Sequence, residues 1–442
     1  MSTDMPVTGL EQWLRPNAAK QPRAEVPWLA ETRRNALEQA RRAGIPTSKS
    51  EAWRYTGLKG LLDQGFVADE APPAALPPQV LDDLLIPGLD SHRIVLVNGR
   101  FMAAHSSLGE LSAGVRIGGL RALLETDPDA LRAHLTRVAG AGAHLFSQLN
   151  TAGIDDGLAV LLERGTRLDK PIELIHLSVG AETPRVAQPR HLVVLGDGAQ
   201  ATLIERYLGQ GESLYCTNSV AEISLGRQAV LSHHRVQLES PRAFHITGLY
   251  LSQGDQSHYT GVNVGLGASW ARTDLVARFR GEGAECRFEG LYLAGDGQLI
   301  DYHLDVEHGL PNCASRERFK GILYGQGRAV FDGRVRVAVD AQQSDAQMVN
   351  NNLLLSPKAE VDTKPQLEIY ADDVKCSHGT TVGQLEPERL FYLRARGIPA
   401  TQARRILCLG FAEEVIAQLG PGALREHVSD EVGRRLEAAP LD

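Results

Sequence analysis

Short runs of alternating apolar and polar residues fill the middle of the chain, from about residue 153 to residue 383. Gly, Asp or Asn separates most of these runs, and the 3.6-residue spacing of an amphipathic helix is hard to find among them. A two-residue period is typical of β-strands, because successive strand side chains point to opposite faces. So many short strands predict a mainly β core that is a sandwich, a barrel or a solenoid.

One phrase recurs within this region. GLYLS at Gly248, GLYLAG at Gly290 and GILYGQG at Gly321 look like versions of one structural unit, although the intervals between them are unequal. The run Asn350–Asn352, just before three leucines, suits a polar turn whose side chains stack on their neighbours. A repeated strand unit with a continuous apolar interior is what a β-solenoid needs. The pattern therefore favours a solenoid and leaves a sandwich or a barrel open.

The N-terminal flank has a helical pattern. Residues 1–62 are predicted to be largely helical, with Pro27 in the first turn of one helix. Ser48 to Glu51 has the spacing of a capping box, which predicts the start of a second helix. The Pro- and Ala-rich stretch 68–90 is predicted to be a linker.

A short hairpin and two more helices are predicted before the alternating region begins. His92–Val97 has the composition of a strand, and Asn98-Gly99 directly after it is a strong signal for a tight turn. Helical patches follow near Gly119–Glu125 and Asp129–Leu149. We therefore predict a mainly helical domain with a short strand hairpin over 1–152, and a β core over 153–385.

Three helical segments are predicted in the remaining residues, 386–442. Gly397 with Pro399, and later Gly420 with Pro421, mark the breaks between them. Each segment has an apolar face, so together they predict a small helical domain. On pattern alone, these helices would either cover the open end of a solenoid or lay an apolar face in a groove of a partner.

Composition narrows the class of protein. The chain has 442 residues, is 43% hydrophobic and 23% charged, and carries a net charge of −8, which argues against nucleic-acid binding. Its five cysteines are widely spaced, so a disulfide framework is not expected. The N-terminus lacks the features of a signal peptide, and no apolar run has membrane-spanning length. We expect a soluble cytoplasmic protein that does not bind membranes.

The sequence lacks several motifs of enzymes and nucleotide-binding proteins. It has no G-x-x-x-x-G-K-[ST] loop and no G-x-S-x-G nucleophile elbow, so we expect no bound nucleotide and no hydrolase of that type. Residues of metal-binding type are scattered and mostly lie inside the alternating runs, where we expect local hydrogen bonds instead. They are His233, His234, His245, His258, His303, His308 and Cys313.

Cys376 and His378 are the best candidates for a functional site. They follow an alternating segment and are two residues apart, so on a continued strand both side chains point the same way. A thiolate beside an imidazole is a pair of metal ligands or a nucleophile with its base. Alternatively, the two residues have no functional role, and Cys376 is a small packed side chain beside a surface histidine.

The segment EIYADDVKCSHGTTVGQL, with LFYLRARGI at Leu390 and IPTSKSEAWRYTGLKGLL at Ile45, resembles the SufB/SufD family and within it the SufD branch. These proteins are scaffold subunits of the SUF iron–sulfur cluster assembly machinery. The resemblance implies a right-handed parallel β-helix core flanked by N-terminal and C-terminal helical domains. It also implies a non-catalytic assembly subunit.

The resemblance further implies partners and site residues. A SufB-like subunit would form a heterodimer with this chain through the β-helix end, and a transient iron–sulfur cluster would be shared there, with Cys376 and His378 as ligands. A SufC-like ATPase would bind the C-terminal helices, and a homodimer is possible in isolation. The candidate ATPase-binding residues are Leu390, Phe391, Leu393, Ile406, Leu409 and Phe411.

Two other functions remain open from the sequence. A β-helix carbohydrate-active enzyme would need paired carboxylates, for which Asp340, Asp345, Asp372 and Asp373 are available. A purely structural solenoid would need only capped ends. Co-purification with an ATPase would separate the scaffold hypothesis from both.

Overall fold

The computed structural model describes residues 10–14, 26–68, 76–140 and 143–440. Parts of the predicted N-terminal helical region (1–9 and 15–25) and of the predicted linker (69–75) lie outside these residues. Among the described helices, none combines the length and the apolar character needed to cross a bilayer.

Two long sheets form the core, and the chain alternates between them. The first sheet runs through β20 (Glu360–Ile369), β18 (Arg328–Val337), β16 (Leu299–His308), β14 (Trp270–Phe279), β12 (Phe244–Gln253), β10 (Tyr215–Leu225), β8 (Arg190–Leu195), β5 (Leu158–Leu162) and β4 (Val115–Gly119), with β1 (Val67–Ala68) and β7 (Arg185–Ala187) beside this path.

The second sheet contains the intervening strands in the same order. They are β21 (Lys375–Gly383), β19 (Asp345–Leu354), β17 (Ala314–Leu323), β15 (Glu285–Ala294), β13 (His258–Gly265), β11 (Val230–Leu238), β9 (Gln200–Gly209), β6 (Ile172–Ser178), β2 (His92–Val97) and β3 (Arg100–Phe101).

From β5 and β6 onward each strand pairs in parallel with the strand one turn earlier, as in β12 with β14 and β13 with β15. This is a parallel β-solenoid, so the prediction of a β-helix core flanked by helices is confirmed, and a sandwich or a barrel is excluded. One antiparallel hairpin joins β2 to β3 through Asn98 and Gly99, both of which have positive φ.

The interior of the solenoid is a single apolar column with polar segments. Inward-facing positions of both sheets form one buried cluster that extends from Ile94 and Leu96 to Ala346 and Met348. Because corresponding residues of successive turns lie about 4.8 Å apart, the inward-facing side chains of one turn pack on those of the next. Successive residues of each strand therefore face this column and the outer surface in turn, which explains the alternation of apolar and polar residues in the sequence.

Helices cover the outer faces of both sheets. The N-terminal region contributes α1 (Pro27–Ala43), α2 (Lys59–Leu62), α3 (Pro78–Asp82), α4 (Leu120–Thr126), α5 (Pro128–Arg132) and α6 (Leu145–Ala152), together with short 3₁₀ turns at Glu11–Trp13, Glu51–Trp53 and Ala103–His105. Trp53 and Phe146 pack on the first sheet beside Phe244 and Trp270.

The C-terminal region contains α7 (Pro387–Arg394), α8 (Ala400–Ile416) and α9 (Gly422–Ala438). Val415, Leu424 and Val428 of this region belong to one buried cluster with Val264 and Leu291 on the outer face of the second sheet. The buried sides of α8 and α9 thus cover a sheet face, and the hypothesis that these helices serve to cover the open end of the solenoid is not supported.

Two helix predictions are wrong in detail. The predicted helix 129–149 is divided, because α5 ends at Arg132 and α6 begins only at Leu145. The capping-box segment does not start a long helix: Ser50 makes no side-chain cap bond, and a 3₁₀ turn at Glu51–Trp53 precedes the four-residue α2. The division of the chain at 152/153 and 385/386 stays a prediction, and the second sheet itself reaches back to His92.

Substitution of an interior glycine tests the packing of the column. A Cβ on Gly290 would lie 2.1 Å from a ring atom of Phe319. We expect Gly290→Ala to destabilise the protein by about 1–3 kcal/mol, because the ring has to move within a filled interior. Gly410→Ala is the control: it lies in α8 with no atom within 4 Å of the new Cβ, and should stabilise by about 1 kcal/mol. Urea unfolding measures both, and an equally stable Gly290→Ala variant would contradict the packing described.

Candidate functional site

The solenoid ends at β20 and β21. Each is the terminal strand of its sheet path, paired with β18 and β19 respectively. An edge strand presents main-chain N–H and C=O groups to whatever approaches it, and proteins usually blunt or cover such edges. This end of the molecule therefore has the geometry of a pairing surface.

Cys376 and His378 both lie on β21 and face the interior column. They are in register with Ala346 and Met348 of β19, both of which are fully buried. Two residues further along β21, the Thr380 hydroxyl lies 3.1 Å from the hydroxyl of Thr363 on β20, which fixes the inward direction of this face. β21 thus gives Cys376 and His378 the common orientation that the sequence predicts.

The two side chains differ in exposure. Cys376 is half-buried and packs against the interior cluster, whereas His378 is exposed. Burial raises the pKa of the Cys376 thiol, and the charges of Asp345 and Glu317 act in the same direction. The thiol is therefore not activated as a nucleophile by its surroundings, and a bound metal would have to displace its proton.

Apolar side chains are exposed around this end. Ile369 and Tyr370 at the end of β20 and Val382 on β21 have 41%, 56% and 49% of their surface accessible. We call Ile369, Tyr370 and Val382 the end patch. Together with the free strand edge, it gives the open end both main-chain and side-chain groups that a partner could bury.

The six predicted ATPase-binding residues fall into two groups. Phe391 and Ile406 are exposed, at 73% and 43%, and Tyr392 beside them is also exposed. Leu390 and Leu393 are half-buried. Leu409 and Phe411 pack on the outer face of the second sheet, where the Phe411 ring lies 4.3 Å from Lys320 Nζ. The exposed side of α7 and the start of α8 are therefore the part of this set available to a partner.

The four candidate acids of a carbohydrate-active enzyme show no buried pair. Asp345 is bound by Arg316 at 2.6 Å, and Asp340, Asp372 and Asp373 are exposed. A general acid of this class usually has a pKa raised by an apolar pocket. The surroundings of these four residues give no support to that function.

A buried charged network that the sequence did not predict lies on β6, β9 and β11, in the half of the column away from the open end. Glu205 accepts hydrogen bonds from Tyr207 at 2.5 Å and from Arg235 at 2.9 Å. His176 and His233 place Nε2 at 3.3 Å and 3.1 Å from the same carboxylate. Burial alone would raise the pKa of Glu205, but Arg235 and the histidines hold it well below its usual value.

His176, His191 and Glu205 also satisfy a distance criterion for a metal site, since one potential ligand atom of each lies within 4.8 Å of the others. The hydrogen bonds argue against this. His191 Nδ1 accepts from the Leu158 N–H at 3.1 Å, so a neutral His191 carries its proton on Nε2, the nitrogen facing Glu205. That nitrogen has no lone pair for a metal, and Arg235 already neutralises the carboxylate. The cluster is a charge-balanced structural network.

Nearby hydrogen bonds or ion pairs account for six of the seven scattered residues of metal-binding type, as predicted, and His234 is the exception. His233 faces Glu205 inside, whereas the adjacent His234 lies on the other face, near Gly420. The remaining contacts join His245 to Glu239, His258 to Glu285, His303 to Asp301, His308 to Ser315 and Cys313 to the Gly281 carbonyl. The alternation along each strand indicated which residues face inward. The partners of His233, His258 and Cys313 are about thirty residues away in sequence, one turn of the solenoid, whereas those of His245, His303 and His308 lie close in sequence.

Comparison with known proteins identifies relatives over nearly the whole chain. The family model described as SUF system FeS cluster assembly, SufBD core domain, matches residues 177–411, and the SufBD protein N-terminal region matches residues 15–174. The iron–sulfur cluster assembly protein SufD of Escherichia coli is 36% identical over 403 residues, which cover 90% of this chain and 91% of that protein.

Two further relatives cover similar lengths. An iron–sulfur cluster assembly SufBD family protein of Synechocystis is 35% identical over 413 residues, or 91% of this chain and 90% of that protein. The chloroplastic protein ABCI7 of Arabidopsis thaliana is 30% identical over 435 residues, or 96% and 90%.

Glu205→Gln tests the buried network. The amide leaves the Arg235 guanidinium without its counter-charge, so we expect a loss of about 3–5 kcal/mol in the free energy of unfolding. Glu285→Gln is the control, because Glu285 is exposed and its ion pair is with exposed His258; it should change stability by less than about 1 kcal/mol. Urea titration at neutral pH distinguishes the two, and equal stabilities would show that Glu205 is not coupled to Arg235.

The histidines of the same network predict loss of stability in acid. Burial lowers the pKa of His176 and His233 and lowers that of His191 to about 3. The unfolded chain, with histidine pKa values of about 6.5, then binds more protons than the folded one as the pH falls below 6.5. We expect the urea midpoint to fall steadily from pH 7 to pH 5. A midpoint that stays constant over this range would contradict the neutral, buried state of these rings.

Proposed function

Because the chain belongs to the SufBD family of iron–sulfur cluster assembly proteins, we propose that it is a SufD-like subunit of a SUF assembly complex. It pairs with a SufB-like subunit through the open end of the solenoid and with a SufC-like ABC-type ATPase through its C-terminal helices. The observation that carries this proposal is the inward-facing pair Cys376 and His378 on β21, the terminal strand of its sheet, which pairs with β19 on one side and is followed by no strand on the other within the described part of the chain.

Pairing with a second solenoid would satisfy the free edge. A partner strand beside β20 or β21 would take up the main-chain hydrogen bonds that the sheets leave unused, and the end patch would be removed from water. The proposed partner is a SufB-like chain. In isolation, the same edge is free to pair with a second copy of this chain, so a homodimer is also proposed.

The nascent iron–sulfur cluster is the cargo of this interface. Cys376 and His378 offer one thiolate sulfur and one imidazole nitrogen, whereas a cluster normally takes four protein ligands. Two ligands from this chain therefore leave the remaining positions to the SufB-like partner. Cluster binding displaces the thiol proton of Cys376, and the exposure of His378 leaves its ring free to turn toward the partner.

This chain serves in the complex as a non-catalytic scaffold. Nucleotide binding and hydrolysis belong to the ATPase subunit, and this chain holds no nucleotide of its own. The exposed apolar residues Phe391, Tyr392 and Ile406 support docking of that subunit at α7 and the start of α8. The cytoplasm, with its reduced thiols, is the proposed compartment, and neither nucleic acid nor membrane is a proposed partner.

Cluster loading of the purified complex tests the site. We expect His378→Ala to lower the iron and acid-labile sulfide bound per complex by at least about tenfold, because one of the shared ligands is lost. Cys376→Ala should have a smaller effect in the same direction. Gel filtration should find both variants assembled with their partners, because β21 keeps its main-chain pairing. Wild-type loading by both variants would show that the pair is ordinary interface packing.

The ATPase contact is tested by surface substitution, because deletion of the C-terminal helices would uncover Val264 and Leu291 on the second sheet. We expect Phe391→Ser combined with Ile406→Ser to weaken capture of the ATPase subunit by about tenfold or more. Val339→Ser removes another exposed apolar side chain, 64% accessible, outside the C-terminal helices and should leave binding unchanged. Titration calorimetry compares the three proteins, and undiminished binding by the double variant would place the ATPase elsewhere.

A further inference from the structure

Pro365 lies in the middle of β20, one of the two strands at the open end of the solenoid. At the two ends of this strand, the N–H groups of Glu360 and Tyr370 donate to main-chain oxygens next to or on β18, at 3.1 Å and 3.0 Å. The register between β20 and β18 is unbroken from Glu360 to Ile369. Because successive N–H groups of a strand point to opposite sides, the even-numbered residues face β18 and the odd-numbered ones, with Pro365, face the free edge.

The proline divides the hydrogen-bonding row along the free edge of β20. Its ring nitrogen has no hydrogen to donate, and a ring carbon projects where the N–H group would be. Proline is confined to this position in sheets, on an edge strand with its nitrogen side away from the ladder, and it blunts the edge against a further strand. The edge-facing donors on either side of the break belong to Val361, Thr363, Leu367 and Ile369.

The free edge of β21 has no such break. The Lys375 N–H donates to the Ser344 oxygen beside β19 at 2.9 Å, and the register with β19 is unbroken from Lys375 to Gly383. The even-numbered residues of β21 therefore face the free edge, and proline is absent from this strand. The row of edge-facing donors consists of Cys376, His378, Thr380 and Val382.

The outward-facing side chains of the two strands differ in the same sense. Those of β20 are mostly charged, and Lys364 among them forms ion pairs with Asp332 and with Glu51 of the N-terminal region. Beyond Lys375, those of β21 are small and uncharged, namely Ser377, Gly379, Thr381 and Gly383. Charged side chains on an edge strand discourage the addition of another strand, so both features favour β21 as the strand that accepts one.

We propose that the SufB-like partner adds a strand to β21, and that Pro365 excludes β20 from main-chain pairing. β20 then contacts the partner through side chains, among them Ile369 and Tyr370 of the end patch. This inference rests on the proposed function. It adds to that function which of the two edges accepts the partner's main chain and which residue determines the choice.

Strand addition at β21 also positions the shared cluster site. The main-chain groups of Cys376 and His378 face the free edge, so each residue would form a hydrogen-bonded pair with the partner residue opposite it. In an antiparallel pair of this kind the two Cα atoms lie about 5.5 Å apart, and the two side chains lie on the same face of the sheet. The partner's ligands would then be two residues apart on one strand, directly across from Cys376 and His378.

A matched pair of proline substitutions tests this inference. Thr380 on β21 and Thr363 on β20 both have edge-facing N–H groups, and their hydroxyls lie 3.1 Å from each other, so either substitution removes the same side-chain contact. Titration calorimetry measures binding of the full-length chain to the SufB-like subunit of the same organism. We expect Thr380→Pro to weaken binding on the order of 10- to 100-fold, because a donor is lost and the ring obstructs the added strand. Thr363→Pro should bind within about threefold of wild type.

The outcomes separate this inference from the proposed function. Weakening by Thr363→Pro that equals or exceeds that by Thr380→Pro would overturn the assignment to β21 and leave the SufB-like partner standing. Wild-type affinity in both variants would also overturn it, because the partner's main chain would then use neither edge. Absence of binding by the wild-type chain would overturn both proposals.

Two controls keep the test independent of folding. Thr380→Val and Thr363→Val remove the hydroxyl contact alone and should bind as wild type, and urea unfolding compares the stability of all four variants. If Thr380→Pro does not fold, amide exchange in the wild-type complex decides. The gain in protection on binding should be larger over 375–383 than over 360–369, and an equal or larger gain over 360–369 would contradict the inference.

Discussion

In a parallel β-solenoid, each strand exchanges main-chain hydrogen bonds with the strand one turn before it and the strand one turn after it. β20 and β21 have the earlier neighbour, β18 and β19, and nothing in their sheet paths follows them. Helices α8 and α9 pack on the outer face of the second sheet and not on this edge. The unused hydrogen-bonding groups, the end patch and the pair Cys376 and His378 therefore all lie at one place, and pairing with another chain is the simplest way to satisfy them together.

The interior column contains a buried charged network centred on Glu205. Around Glu205, every charge has a partner of opposite sign or a hydrogen-bond donor, and the histidines are held neutral. Such a network, once complete, fixes which strands face each other and contributes specificity as well as stability.

Much of the architecture could be predicted from local sequence. The two-residue period gave the strand type and the common orientation of Cys376 and His378, and Asn98-Gly99 located the hairpin turn. Long-range pairing could not be predicted, because the intervals between repeated phrases are unequal and register depends on turn geometry. For that reason the contacts of Glu205 with His176 and His233 were missed. The divided helix at 129–149 was missed because apolar spacing continues through residues that form turns.

Hydrogen exchange at the solenoid end tests the central claim most directly. Amide exchange would be followed by mass spectrometry in the isolated chain and in its complex with a SufB-like subunit. The account predicts that peptides covering 360–383 exchange faster in the isolated chain and become strongly protected in the complex, because their free edge is paired there. Unchanged exchange over 360–383, with new protection on another face of the solenoid, would contradict the assignment of the open end as the cluster-building interface.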